Sequence, residues 1–258
     1  MGTMIFNGIS TLDLGVVIQT PPIYEFPSKR VDSVQIQGKN GDIIIDKNSF
    51  NNVNREYNIA SVFRKNDSFI SNVRVLVDWL SSVSGYARLE DSYEPEYFRL
   101  AMYRSGGQLP NFYDKATAMI VRFECKPQRF LKSGEIQEEF TRSTHPDAGF
   151  HKIENNTNYV ALPEIKVTNG FVDIEVLNGE DPNNPTRSTK ITLTDQTILS
   201  EITIDSDIQD VFTQTSFINN KIQMTNGFPK LYPGTNWIKI TYTSNDTVVM
   251  LKPRWWVL

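Results

Sequence analysis

The 258-residue chain has one cysteine, Cys125, and two histidines, His145 and His151. A single cysteine excludes an intrachain disulfide, so the fold has to rest on its core. The histidines belong to "HPDAGFH", where His145, Asp147 and His151 make the one metal-like cluster. It lacks both the spacing and the fourth ligand of an established zinc site, and a polar, solvated connection is the preferred reading. No apolar run approaches eighteen residues, which excludes a membrane-spanning helix. The start, "MGTMIFNGIS", has neither a charged segment nor a long apolar one, and Phe6 stands where myristoylation wants Ser or Thr. No leader or lipid anchor is expected, and the chain is expected to be made and folded in the cytoplasm. Phosphate-loop chemistry is missing too. "RSGGQLPNF" has two glycines but no following Lys-Ser/Thr and no strand-to-helix setting. No Ser or His stands in a nucleophile-elbow context. The net charge of −4 is the opposite of the basic excess of a dedicated nucleic-acid binder.

What is present is globular and mostly β. A hydrophobic fraction of 39% with 22% charged residues fits a soluble globular protein. Residues 1–133 carry 16 Lys+Arg against 14 Asp+Glu (+2), and residues 134–258 carry 10 against 16 (−6), which separates two compositional halves. One segment, "SFISNVRVLVDWLSSVSG", has the helical period. Val73, Leu76, Val77, Leu80 and Val83 form its stripe, Ser68 or Ser71 is the expected cap, and Gly85 is the expected C-terminal glycine. Elsewhere, short β-type runs recur about every ten residues between Gly, Asn, Asp and Pro, as in "GDIIID", "YNIASVF", "AMIVRFEC", "VDIEVLN", "KITLTD" and "WIKITYT". Lys126-Pro127 is expected to end one run, and a polar linker is expected from Gly134 to Tyr159. The chain therefore reads as a β-rich domain with one helix, residues 1–133, followed by an all-β domain, residues 134–258.

"LEDSYEPEYFRLAMYR" (Leu89–Arg104) is the stretch that most resembles an active site. Glu90, Asp91, Glu94 and Glu96 are paired-carboxylate candidates, yet successive strand residues point to opposite faces, and Asp91 to Pro95 has turn chemistry. The preferred reading is a turn and then a strand, with Arg99 as an ion-pair partner of Asp91, of Glu96 or of a neighbouring subunit. No catalytic residue, cofactor or metal is expected, and Cys125 reads as a buried, inert thiol. Trp237 and Tyr242 are candidate sugar or partner contacts. The apolar ending "KPRWWVL" is expected to dock, on its own domain or on a neighbour.

Several segments together resemble the distal tail protein (Dit) family of siphophages of Gram-positive bacteria. These are "YEFPSKRVDSVQIQGKNGDIII" with Gly38 and Gly41, "VRVLVDWLSS" followed by "GYARLEDSYEPEYFRLAMY", "VRFECKPQRF", and "GFPKLYPGTNWIKI" followed by "KPRWWVL". The resemblance implies a mainly β fold of two β-sandwich-type domains. The N-terminal one would be tail-tube-like with one α-helix and would form the ring. The C-terminal one would be a galectin-like or carbohydrate-module-like β-sandwich. It also implies a virion location at the tail tip or baseplate, and a homo-hexamer joined to the tail-tube protein and the tail-associated hub/lysin protein. Receptor-binding or baseplate proteins would attach, DNA would only pass through the channel, and nothing would insert in a membrane. Gly38, Gly41, Asp91, Tyr93, Arg99, Arg254 and Trp255 become the candidate intersubunit or structural residues. The segment from Gln35 to Val53 is the expected strand-addition contact with the next subunit. The competing readings are a carbohydrate-binding adsorption module, a tail-tube protein with an appended outer domain, and a wall hydrolase using Glu94, Glu96 or the His145 cluster.

Overall fold

The computed structural model describes residues 1–62, 69–104, 116–146, 149–195, 197–198 and 200–258. The chain divides into two compact units, residues 1–129 with Leu258, and residues 130–257. Three sequence features fall outside the described residues: "RSGGQLPNF" from Ser105 onward, the cap candidate Ser68, and Asp147.

The first unit holds β1 (Met4–Phe6), β2 (Ile9–Ser10), β3 (Val16–Ile18), β4 (Lys29–Val34), β5 (Ile43–Phe50), β6 (Val53–Val62), α1 (Phe69–Ser81), β7 (Ala87–Asp91), β8 (Tyr97–Tyr103) and most of β9 (Ala116–Leu131). The main sheet runs β2-β1-β7-β8-β9-β6-β3, while β4 and β5 pair only with each other. In β6 the alternate residues Val53, Tyr57 and Ile59 are buried, and in β9 so are Met119, Val121, Phe123 and Cys125. This is the period-two pattern of a strand with one covered face. Helix α1 covers that face with Leu76, Trp79 and Leu80. Its Trp79 Nε1 donates to the Phe6 carbonyl at 3.1 Å, and the Phe6 ring meets Phe123 at a centroid distance of 4.9 Å. Val77, expected in the apolar stripe, is exposed, and Trp79 takes the inward place. Ser71 lies inside the helix rather than capping it. The helix stops at Ser81 because Ser82 folds back, its N–H and hydroxyl both meeting the Trp79 carbonyl. Gly85 keeps an ordinary φ and is not the helix stop.

Strand β9 does not end at Lys126-Pro127. Its register with β6 finishes where Val53 faces Cys125. Pro127 thus lies beyond the start of β6, where its missing N–H removes no bond from that ladder.

The second unit has β10 (Glu138–Thr141), β11 (Phe150–Asn155), β12 (Glu164–Thr168), β13 (Phe171–Asn178), β14 (Arg187–Leu193), β15 (Ile202–Asp205), β16 (Asp210–Thr213), β17 (Ile222–Thr225), β18 (Gly234–Tyr242) and β19 (Val248–Lys252). They form two five-stranded antiparallel sheets, β10-β19-β12-β15-β16 and β11-β18-β13-β14-β17. One core lies between them. Ile165, Ile204 and Leu251 from the first sheet meet Ile174, Ile191 and Ile238 from the second. The expected polar linker is instead part of this sandwich, since β10 pairs with β19 and β11 with β18. Its polar composition hid two strands that bury Phe140 and Ile153 among charged neighbours. Among the described residues, no helix is long and apolar enough to cross a membrane.

The helix packing is testable by denaturant unfolding of the chain. Leu80→Ala is expected to cost about 2–5 kcal/mol, as burial-to-cavity changes do. Val77→Ser should stay within about 0.5 kcal/mol. An equal loss for both would contradict the inward placement of Leu80.

Candidate functional site

In β6, Arg55 occupies the inward parity between Val53 and Tyr57, and it is only 2% exposed. A charge there survives only if it is paired and hydrogen-bonded. Its Nη2 lies 3.2 Å from Asp91 Oδ2 and 3.0 Å from Glu94 Oε2. The Tyr57 hydroxyl donates to the same Asp91 oxygen at 2.7 Å. Asp91 Oδ1 accepts the backbone N–H groups of Tyr93 and Glu94, at 2.9 and 3.0 Å. That is how an aspartate folds the chain into a turn. Glu94 in turn receives Arg99 Nη2 at 3.2 Å and Arg129 Nη1 at 2.8 Å. Burial opposes the charge on Arg55, but Tyr57, Asp91 and Glu94 outweigh it and hold the guanidinium protonated. Burial, reinforced by Asp91, pushes the Tyr57 phenol well above its ordinary pKa. Burial likewise pushes the neighbouring Cys125 thiol up to about 12.

Of the four acids in "LEDSYEPEYFRLAMYR", Asp91 and Glu94 thus hold the turn and the buried cation, and Glu90 pairs with Arg88. Arg99 pairs with Glu94 rather than with Asp91 or Glu96. Both Asp91 oxygens are already engaged, and Glu96 is exposed. Tyr93 packs against the first core, and a Cβ on Gly2 would collide with its ring. Arg55, the centre of the network, was not singled out by motif. Its signal was present all the same: a charge at inward parity in "VNREYNI".

The network also reaches the base of the β4–β5 arm. The Tyr24 ring lies 4.4 Å beneath the Arg55 guanidinium, and Glu25 Oε2 accepts the Asn54 N–H at 2.6 Å. Asn51 clamps Ser28 through its backbone N–H at 2.9 Å and its side-chain amide at 3.0 Å. Beyond this base the two strands pair with no other strand among the described residues. Val34 opposes Ile43, Ser33 opposes Ile44 and Asp32 opposes Ile45. Val31, Val34, Ile36, Ile43, Ile44 and Ile45 are all exposed, as is Phe26 at 88%. Ion pairs Lys29–Asp46 and Lys47–Asp32 tie the strands to each other. Gly38 and Gly41 supply the left-handed backbone of the connecting segment, with φ of 81° and 80°, a region that other residues enter at a cost. A two-stranded ribbon with no covering layer is marginal in water, and its exposed branched side chains form an apolar surface in need of a cover.

In the second unit, Arg254 sits at a φ of 60°. It makes a two-pronged bond to Asp205, at 2.7 and 2.8 Å, and reaches Glu164 at 2.6 Å. Gly134 lies so close to the chain at Arg254–Trp255 that a Cβ would overlap the Trp255 nitrogen. Trp255 packs on the second core, and Trp256 stacks on Tyr159 at 4.3 Å. Trp255 and Trp256 thus dock within their own unit. Trp237 is half-buried on β18, with its Nε1 donating to the Gly179 carbonyl at 2.9 Å. Tyr242 is 5% exposed and belongs to the core. At that exposure its ring offers a sugar almost no surface. The His145 and His151 rings meet edge-on at 4.1 Å. Among the described residues no group of three or more His, Cys, Asp or Glu side chains converges on a metal position.

No protein-family model matches the sequence, and no curated protein matches it. Solved structures do share the architecture, and the fold is that of phage hub and baseplate proteins. The crystal structure of Dit (gp 19.1) from phage SPP1, described as a paradigm of hub adsorption apparatus in phages infecting Gram-positive hosts, is similar over 100% of both chains, with a TM-score of 0.64 and 14% identity. A chain of the phage P2 baseplate in its activated conformation with Ca is similar over 97% of both chains, with a TM-score of 0.53 and 11% identity. The same baseplate with Sr gives 0.52 and 10%, over 97% of this chain and 96% of the other. These neighbours agree with the resemblance to the distal tail family seen in the sequence.

Two measurements probe these networks. Arg55→Met leaves Asp91 buried without its cation and removes one of the three that Glu94 holds, and should cost about 3–5 kcal/mol in denaturant unfolding. A loss below about 1 kcal/mol would show that the network is not a structural centre. The Asp205 carboxyl is held below its usual range because its bonds to Arg254 outweigh the opposing effect of burial. Its contribution to stability is therefore present above the ordinary carboxylate pKa of about 4, and is lost as the pH falls through the lower folded value. Asp205→Asn should destabilise the protein at pH 7 and show a shallower acid limb. Parallel curves for the two proteins would refute this.

Proposed function

We propose that the chain is a structural subunit of a phage tail tip. It forms a homo-hexameric ring that joins the tail-tube protein to the tail-associated hub/lysin protein and anchors receptor-binding or baseplate proteins. It acts in the virion, after synthesis in the host cytoplasm, and does so without catalysis. The observation that carries this reading is the β4–β5 arm, tethered at its base by Tyr24, Glu25 and Asn51 and bare along its length. Likeness of fold to hub and baseplate proteins supports it.

The arm lies on the next copy of the chain. Burial of each branched aliphatic is worth roughly 1.5–3 kcal/mol, and the outer edges of the two-stranded sheet offer backbone groups for strand addition. Arm and acceptor are different surfaces, so the contact is head-to-tail, and closure of the rotation limits it to a ring. A near-neutral first half suits a channel that DNA has to leave again, because dense phosphate contacts would hold it.

Size-exclusion chromatography with light scattering, joined to negative-stain imaging, tests the assembly. The wild-type chain should give rings of six, with or without the hub partner. Ile44→Asp with Ile45→Asp should leave monomers whose unfolding midpoint is unchanged. A lasting wild-type monomer at high concentration, with the partner hub present, would overturn the ring.

A further inference from the structure

The second unit carries an open cavity of about 360 Å³ at one end of the sandwich, within the range of small-ligand pockets, roughly 300–1,000 Å³. Strand parity explains how it arises. Thr189, Ile191 and Leu193 alternate along the covered side of β14 and are buried, and Arg187 continues that series at the rim, where it is exposed. On the adjacent β13, Asn178 opposes Arg187 and Val176 opposes Thr189. Core residues thus give way to polar ones at the mouth. Its walls include Asn178, Arg187, Ser188, Thr189, Lys230 and Tyr232, and among the described residues no acidic one lines it.

Three features point to a ligand. Thr189 is 8% exposed, and its hydroxyl oxygen is buried with no hydrogen-bond partner among the described residues. Buried polar atoms in native proteins are nearly always satisfied, so a pocket-lining hydroxyl without a partner marks a place where one is supplied from outside. Second, neither Arg187 nor Lys230 forms an ion pair among the described residues, although residues 134–258 carry six more acids than bases. Third, the pocket is held in shape before anything binds. The Arg187 guanidinium lies 4.6 Å over the Tyr232 ring, which fixes its plane and leaves its N–H edge to donate. Asn178 Nδ2 donates to the Thr235 carbonyl at 3.0 Å, and Asn226 Nδ2 to the Ser188 carbonyl at 3.0 Å.

The geometry points to this cavity as a binding site for a phosphate ester of a sugar or polyol. Arg187 and Lys230 take the phosphate. A planar guanidinium matches its oxygens in pairs, and two cations balance a phosphate monoester better than a singly charged carboxylate. Thr189 and Asn178 meet the hydroxyls of the attached polyol. The site lies within one unit and does not depend on ring formation. Failure of the hexamer would leave it standing, and its own failure would leave the hexamer untouched.

Isothermal titration of the full chain with glucose 1-phosphate, glycerol 3-phosphate, glucose, glycerol and inorganic phosphate tests it. At least one phosphate ester should bind saturably, and the tighter of the two identifies the sugar or the polyol as the preferred partner. The uncharged compounds should not bind, and inorganic phosphate should bind at least tenfold more weakly. Arg187→Gln and Lys230→Gln, both at accessible positions, should each weaken the ester at least tenfold with unchanged circular dichroism. Thr189→Val should weaken it several-fold while the unfolding midpoint holds or rises. Absence of ester binding, binding indifferent to Arg187→Gln and Lys230→Gln, equal binding of inorganic phosphate, or binding of the uncharged sugar at the same strength would each overturn the assignment.

Discussion

The first unit is organised around one buried cation. Arg55 lies almost wholly out of water, and the cost of taking its charge there is met only because Asp91 and Glu94 come with it. Those two carboxylates fix the turn between β7 and β8, whose backbone N–H groups close on Asp91. Glu94 then collects Arg99 from β8 and Arg129 from β9. Side chains from β6, β7, β8 and β9 thereby meet in one network through buried charges that need each other's company. Hydrophobic packing alone tolerates slippage, whereas a buried ion network does not.

That arrangement explains which parts of the fold were legible beforehand. Strands with clean alternation, such as β6, β13 and β18, announce themselves, because apolar and polar residues take turns on a sheet with one covered face. Helix α1 did so as well, though its period placed Val77 inside where Trp79 belongs. Strands β10 and β11 were hidden, since their runs "EEFT" and "FHKIEN" bury few residues each. Pro127 looked like a terminator because sequence does not show where the neighbouring strand begins. The turn after Asp91 was readable from residue type. The choice of Glu94 as the partner of Arg99 was not, for Glu94 is drawn into the network by Arg55, 39 residues away in the chain.

The second unit solves the same problem with different parts. Arg254 bridges Asp205 and Glu164, and the tryptophans beside it pack inward, one on the core and one on Tyr159. Gly134 permits the approach because it has no side chain to obstruct it. The phosphate-ester pocket lies at an end of this sandwich where the apolar series of β14 finishes. It was invisible in the sequence because Arg187, Lys230 and Tyr232 belong to no motif and meet only through the fold.

Cys125 offers a practical consequence. It lies beneath the Arg55 network, wholly buried, with its thiol pushed up to about 12. Both its inaccessibility and its protonation keep it inert toward thiol reagents in the folded state. Since the chain has no second cysteine, any labelling reports a molecule in which the core packed on β9 has opened. The protein therefore carries a built-in clock, and the rate at which that sulfur reacts measures how often the centre of the first unit opens.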